Sequence, residues 1–162
     1  MFAKADKPKG AVVSPLPIGW AGHQDRPSAP ETIAESLHSQ GFEDELAGLP
    51  GRYAPPSGCL LLALDSGRPV GCVALRDLGG GTCEMKRLYV APAGRGCGLG
   101  RLLVAEILRR ATEAGYRRMV LDTLPEMSGA LALYRSFGFE DAAPYGDSPV
   151  ARTLYLEKIL RR

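Results

Sequence analysis

Residues 84–100 read EMKRLYVAPAGRGCGLG, and the rest of the chain is organised around them. Leu88, Tyr89 and Val90 form an apolar, strand-forming run that closes at Pro92. Gly94, Gly96, Gly98 and Gly100 follow, and a helix-period pattern opens at Leu99. Strand, glycine loop and helix, in that order, make a phosphate cradle. Glycine lets the main chain approach a ligand closely and adopt positive φ without steric cost. Free N–H groups and the positive end of the helix dipole then face the anion. Arg95 and Arg101 flank the loop and carry charge suited to phosphate.

Spacing separates the kinds of cradle. A Walker loop, G-x-x-x-x-G-K-[ST], needs a lysine that does not follow these glycines. The G-x-G-x-x-G register of dinucleotide folds requires glycine at Leu99 or Arg101, and fails at both. Asp122 stands about 20 residues on, at the end of the next strand, where such a fold wants its acid. With the glycine register broken, that placement is a coincidence.

At 162 residues the chain predicts one domain, with an extension over 1–27 read as flexible and a single domain over 28–162. A composition of 45% hydrophobic and 23% charged residues is that of a globular protein with a substantial core. The net charge of +2 is too small to point to nucleic acid. Lys86-Arg87 and Arg117-Arg118 lack the interleaved aromatics of a nucleic-acid surface and read as solvated strand ends. Cys59, Cys72, Cys83 and Cys97 show no C-x-x-C spacing, and His23 and His38 lie far from them. They are read as reduced thiols of a cytoplasmic protein, with no metal site expected. No apolar run approaches the ~18 residues of a membrane span, and the N-terminus lacks a signal-peptide core.

Outward from the quoted stretch, strands are expected at Cys59–Leu64, Val70–Leu75 and Thr82–Val90, an antiparallel meander with a turn at Asp77–Gly81. Upstream, Pro8, Pro15, Pro17, Pro27 and Pro30 break any long element, leaving a short strand at Ala11–Val13. Ser28-Ala29-Pro30-Glu31 has the form of a capping box before two short helices. Downstream, Leu99, Leu102, Leu103, Ile107, Ala111 and Ala114 fall on one face of a helix that Gly115 ends. Arg117–Thr123 is a strand, parallel to Thr82–Val90 through this crossover. A helix at Ser128–Phe137 ends at Gly138, and Arg152–Ile159 is the last strand.

Two motifs now stand in order. Arg95-Gly96-Cys97-Gly98-Leu99-Gly100 fits [RQ]-x-x-G-x-[GA], and about 35 residues on Ala130, Leu133, Tyr134, Gly138 and Phe139 fit A-x-x-L-Y-x-x-x-G-F. Together they resemble the GNAT superfamily of N-acetyltransferases, over roughly residues 31–160, in the manner of a small stand-alone bacterial-type member. The resemblance implies an α/β (α+β) fold: a mixed, strongly twisted sheet of six to seven strands flanked by helices. Thr82–Val90 and Arg117–Thr123 would splay into a V. Acetyl-coenzyme A would lie there, with Leu88, Tyr89 and Val90 on the pantetheine and acetyl carbonyl. Arg95, Gly96, Cys97, Gly98, Leu99, Gly100 and Arg101 would hold the pyrophosphate, and Tyr134 would sit beside the sulfur.

The implied reaction moves an acetyl group directly to a primary amine of a small molecule. A protein or peptide acceptor, or a non-catalytic acyl-CoA sensor, are the alternatives. Transfer requires a proton to leave the amine, a donor for the oxyanion, and a proton for the departing thiolate. Tyr134 is the candidate acid, its alternative a core tyrosine that only binds coenzyme. The Val90 N–H is the candidate oxyanion donor. Glu84 is the candidate base, because strict alternation puts it on the same face as Val90. Its alternatives are a carboxylate paired with Lys86 or an arginine, and a water chain as base. A covalent route through Cys83 or Cys97 lacks an activating histidine. Met127 stands where many members carry a pantetheine-binding asparagine, and the usual opening strand is not evident before Ser28. Phe42–Pro56 and Tyr145–Pro149 are expected to shape the acceptor side, with Tyr145–Asp147 closing over it. Edge pairing through the last strand offers a homodimer.

Overall fold

The computed structural model describes residues 12–15, 42–146 and 152–161. The capping box at Ser28, Trp20 and the segment 147–151 lie outside the described residues. Among the described residues, seven strands form one sheet in the order β1-β2-β3-β4-β5-β7-β6. They are β1 (Val12–Pro15), β2 (Cys59–Asp65), β3 (Arg68–Gly79), β4 (Thr82–Val90), β5 (Arg118–Thr123), β6 (Glu140–Asp141) and β7 (Leu154–Ile159). Three α-helices accompany them among the described residues: α1 (Phe42–Ala47), α2 (Leu99–Glu113) and α3 (Ser128–Ser136). The short strand expected at Ala11–Val13 is found at Val12–Pro15, antiparallel to β2.

The core fills one face of the sheet. Leu99, Leu103, Val104, Ile107 and Ala111 of α2 pack on Leu61, Val73, Leu75, Met85, Met119 and Leu121. Tyr134 brings α3 onto the same core, its ring edge-on to Phe139 at 5.9 Å. The helical face differs from expectation at three positions: Leu102 is 46% exposed, Ala114 is exposed, and Val104 is buried. At about 100° per residue, Val104 falls beside Ala111, whereas Leu102 falls beyond Leu99 on the solvent side.

Two further corrections follow from side chains that act locally. β3 runs to Gly79 rather than ending before Asp77, because the Asp77 carboxylate accepts the Gly79 N–H at 2.8 Å and the register slips there. The reversal is left to Gly80 and Gly81, both at positive φ. The last strand is not an edge, as β7 lies between β5 and β6. β6 covers it only at Leu156 and Glu157.

β4 carries the feature that positions everything else. Cys72 pairs with Tyr89 and Ala74 with Lys86, so Arg87 and Leu88 together oppose Val73 alone. This is a β-bulge, and Arg87 takes φ of 58° in it. Such a backbone is held only where its surroundings over-determine it. Here the Arg87 guanidinium donates to Glu45 Oε1 at 2.7 Å, and the Cys72 thiol donates to the Arg87 carbonyl at 3.2 Å. The buried Tyr53 hydroxyl donates to the same Glu45 oxygen at 2.8 Å. Burial raises the Glu45 carboxyl, but Arg87 and Tyr53 outweigh it and hold the group below the usual carboxylate range.

Beyond its base β4 parts from β5. Their parallel pairing covers only Thr82↔Arg118, Cys83↔Met119 and Glu84↔Val120. From Met85 onward the edge of β4 that faced β5 has no partner strand among the described residues.

Candidate active site

The glycine loop sits at the mouth of this split. Gly96 and Gly98 take φ of 76° and 85°, and Gly98 is the N-cap residue of α2. A side chain at either position would strain the turn that aims the loop's amides. The amides of residues 96–101 make no backbone hydrogen bond to another described residue, and the first helical bond is Leu102 N–H to Gly98 O at 3.0 Å. No acidic side chain stands in the first turn of α2. The result is a run of open donors at a positive helix end, which is what a pyrophosphate requires. Gly100 matters differently. A Cβ there would stand 3.4 Å from Leu133 and 3.7 Å from Val90, so α2 closes directly on α3 and β4.

Both arginines belong to this end. Arg95 donates to the Val90 carbonyl at 3.1 Å, tying the loop to the end of β4. Arg101 donates to the Ser136 hydroxyl at 2.9 Å and lies 4.9 Å above the Phe137 ring. Both side chains remain exposed. The Cys97 thiol turns back to the Gly94 carbonyl at 2.7 Å, and burial pushes the Cys83 thiol up to about 12. A thiol raised in this way is not an activated nucleophile.

The bulge decides which residues face which way. Up to Lys86 and again at Tyr89, β4 points Glu84, Lys86 and Tyr89 to the face opposite the core, beside Arg76, Ala74 and Cys72 of β3. Leu88 and Val90 pack on the core side instead. Glu84 and Val90 are therefore on opposite faces. Strict alternation fails because the extra residue at Arg87 reverses the order.

Glu84 is 2% exposed and fully engaged. Arg76 bonds one carboxylate oxygen. Tyr145 donates its hydroxyl to the other at 2.9 Å, and the Lys86 ammonium lies 3.5 Å from it. Of the readings held open for Glu84, the paired carboxylate describes this geometry. Burial first, and then the Glu84 charge, drive the Tyr145 phenol upward, so it stays a donor. Its ring rests edge-on against Tyr155 at 5.3 Å. Lys86 reaches on across the opening split to Asp122 of β5 at 2.7 Å.

Tyr134 stands on the core side of the same split, 7% exposed, and its hydroxyl makes no hydrogen bond to another described residue. Burial, and secondarily the charge of Asp122, push its hydroxyl up to about 12. The group is a phenol, with a proton to give, throughout the neutral range. Met127, at the N-cap of α3, presents a sulfur that accepts the Thr123 hydroxyl at 3.8 Å, where an amide side chain was wanted.

Residues 23–139 match the model of the acetyltransferase (GNAT) family. This chain belongs to the GNAT family of N-acetyltransferases. An uncharacterized N-acetyltransferase of Schizosaccharomyces pombe is 48% identical to this chain over 122 residues, 74% of it and 75% of the relative. An IAA acetyltransferase of Azospirillum brasilense is 39% identical over 109 residues, 66% and 71% of the two chains. The fold matches a Staphylococcus aureus GNAT acetyltransferase with a TM-score of 0.72, at 16% identity over 94% of this chain and 100% of that one. A GNAT acetyltransferase of Elizabethkingia anophelis with acetyl-CoA bound matches at 0.64, with 20% identity over 94% and 99%. The expected fold class is thus observed, V-shaped split included.

Within this acetyltransferase, sequence reasoning singled out the loop, Leu88–Val90 and Tyr134, and in the structure Gly100 stands against Val90 and Leu133, with Tyr134 in the same core cluster. It missed Arg76 as the Glu84 partner and the Glu45–Arg87–Tyr53 clamp. Tyr145 was expected near the acceptor, but not as a donor to Glu84. No local signal marks these residues, since each is defined by a partner on another element.

Proposed function

We propose that this chain uses acetyl-CoA to acetylate a primary amine of a small molecule by direct transfer. The observation that carries the reading is the run of open amides over residues 96–101 at the mouth of the β4–β5 split. The residues present suit the coenzyme: the amides, Arg95 and Arg101 for its pyrophosphate, and the unpaired edge of β4 at Leu88, Tyr89 and Val90 for its pantetheine arm. The bound thioester supplies the acetyl group. In this reading the Val90 N–H stabilises charge on the carbonyl oxygen, and Tyr134 donates its proton to the departing sulfur. The amine approaches from the opposite face, where Lys86 bridges to Asp122 and Tyr145 covers Glu84. That covered face favours a compact acceptor over an extended peptide.

The test is thiol release from acetyl-CoA across a panel of amines, amino acids, polyamines and peptides, with coenzyme binding followed by calorimetry. Release with one class of small amine is the expected result. Release with peptides alone would replace the small-molecule acceptor, and absence of coenzyme binding would overturn the cradle.

A further inference from the structure

We infer that Glu45 of α1 is a positioning residue for the acetyl transfer: through Arg87 it holds the bulge that aims the Val90 amide into the strand split. This rests on the transfer reading above and adds what keeps its oxyanion donor in place.

The direction of that amide follows from the ladder. The Ala91 N–H donates to the Val70 carbonyl at 2.9 Å, and Tyr89 lies opposite Cys72. Successive N–H groups of a strand point to its two edges in turn. The Val90 N–H therefore points away from β3, to the edge of β4 that has no partner strand among the described residues. It does so because Arg87 and Leu88 together oppose Val73. Were Arg87 to relax into regular strand geometry, β4 would pair with β3 one residue out of step, with Leu88 opposite Cys72. The Val90 amide would then turn to β3, and the Tyr89 amide would take its place in the split.

Arg87 is strained in the conformation that prevents this. It holds φ of 58°, which glycine adopts freely and an arginine does not. What fixes it lies outside β4. Its guanidinium, 12% exposed, donates to Glu45 Oε1 at 2.7 Å, and the Tyr53 hydroxyl donates to the same oxygen at 2.8 Å. Burial, and then Glu45, drive the Tyr53 phenol upward, so it stays a donor. The Cys72 thiol donates to the Arg87 carbonyl at 3.2 Å. The bulged residue is thus pinned at its side chain and at its main chain, as a strained backbone requires. Glu45 is carried by α1, in the segment expected to shape the acceptor side. One contact therefore ties that segment to the amide at the reacting carbonyl. Glu45 acts through Arg87 and not on the reacting atoms.

The experiment separates holding the bulge from pairing a charge. Removing Glu45 alone would strand the Arg87 guanidinium and destabilise the fold for reasons unrelated to the bulge. Two double variants therefore remove both groups: Glu45→Ala with Arg87→Ala, and Glu45→Ala with Arg87→Gly. Alanine at 87 must hold positive φ without the clamp, whereas glycine needs none. Both are compared with the unaltered protein below their melting temperatures. One readout is the infrared carbonyl stretch of bound acetyl-CoA labelled with carbon-13 at the thioester carbon, which needs no acceptor. The other is kcat with the best amine. The unaltered protein should lower the stretch relative to free acetyl-CoA. The alanine pair should lose that shift and roughly tenfold or more in kcat, with coenzyme A affinity within about threefold, because the glycine loop is untouched. The glycine pair should regain the shift, with kcat at least about fivefold above the alanine pair. Equal behaviour of the two pairs overturns the inference alone, whether both keep the shift or both lose it. An unaltered protein that binds acetyl-CoA without lowering the stretch removes the Val90 donor and the inference with it. One that binds no acetyl-CoA overturns the transfer reading as a whole.

Discussion

The glycine loop and the face around Glu84 lie at two sides of one split and are built from opposite materials. The loop binds with main chain. Its donors are amides held open by positive φ at Gly96 and Gly98, and its arginines are exposed. The face opposite the core is built from side chains in fixed ion pairs: Arg76–Glu84, Lys86–Asp122 and Arg87–Glu45. Open donors are available to a ligand without rearrangement. Saturated carboxylates are available only after giving something up, and their first effect is to hold the strands at the right opening. The difference separates binding from shaping within one cleft.

Tyr134 joins the two regions, and its removal is the sharpest test. Tyr134→Phe keeps the ring against Phe139 and should lower kcat by roughly 10²–10⁴-fold, with coenzyme affinity little changed. An unchanged kcat would make it a packing residue. Because burial pushes its hydroxyl up to about 12, and the phenol is the active form, any fall in kcat that it causes belongs above pH 10. A descending limb near pH 8 would assign that limb to another group.

Next in size, Glu84→Gln should destabilise the fold by about 3 kcal/mol in a urea melt, because it leaves Arg76 and Lys86 facing a neutral group. A change under about 0.5 kcal/mol would place the face among surface ion pairs that contribute little. On the loop side, Gly98→Val forces a β-branched residue to φ of 85°. It should cost about 1–3 kcal/mol, read as weaker coenzyme binding and a lower melting temperature, and Gly98→Asn should cost less. Equal losses from both would show that the left-handed turn is not what matters. The smallest effect should come from salt. Raising ionic strength from about 0.05 to 0.5 M should weaken coenzyme binding several-fold through exposed Arg95 and Arg101 and leave the melting temperature nearly constant. A parallel fall in stability would mean that the paired face is as solvated as the loop.

Legibility in the sequence followed the same division. The cradle was readable because glycine at 96 and 98 reports local φ, and because a helix beginning at Leu99 has its open amides wherever it packs. α2 was readable to within a residue at each end, and erred at Leu102 and Val104 because an apolar face spans several candidate rotations until a sheet selects one. The meander strands were readable from their apolar runs. β3 ran past its expected end because one aspartate side chain absorbed the turn. Glu84 was singled out on an alternation argument that the bulge at Arg87 invalidates, although the position remains in the cleft.

By itself the sequence determined the strand, glycine loop and helix, the second motif around Tyr134 and, through them, the family. These are local geometries, set by φ preferences, helix period and capping within a few residues. Only the tertiary structure decided how the acceptor face is wired. Glu84 meets Arg76 across 8 positions, Lys86 meets Asp122 across 36, and Tyr145 reaches Glu84 across 61. One extra residue in β4 selects which side chains can take part. Contacts of that range depend on register and on strand splay, quantities that side-chain identity along the chain does not encode position by position.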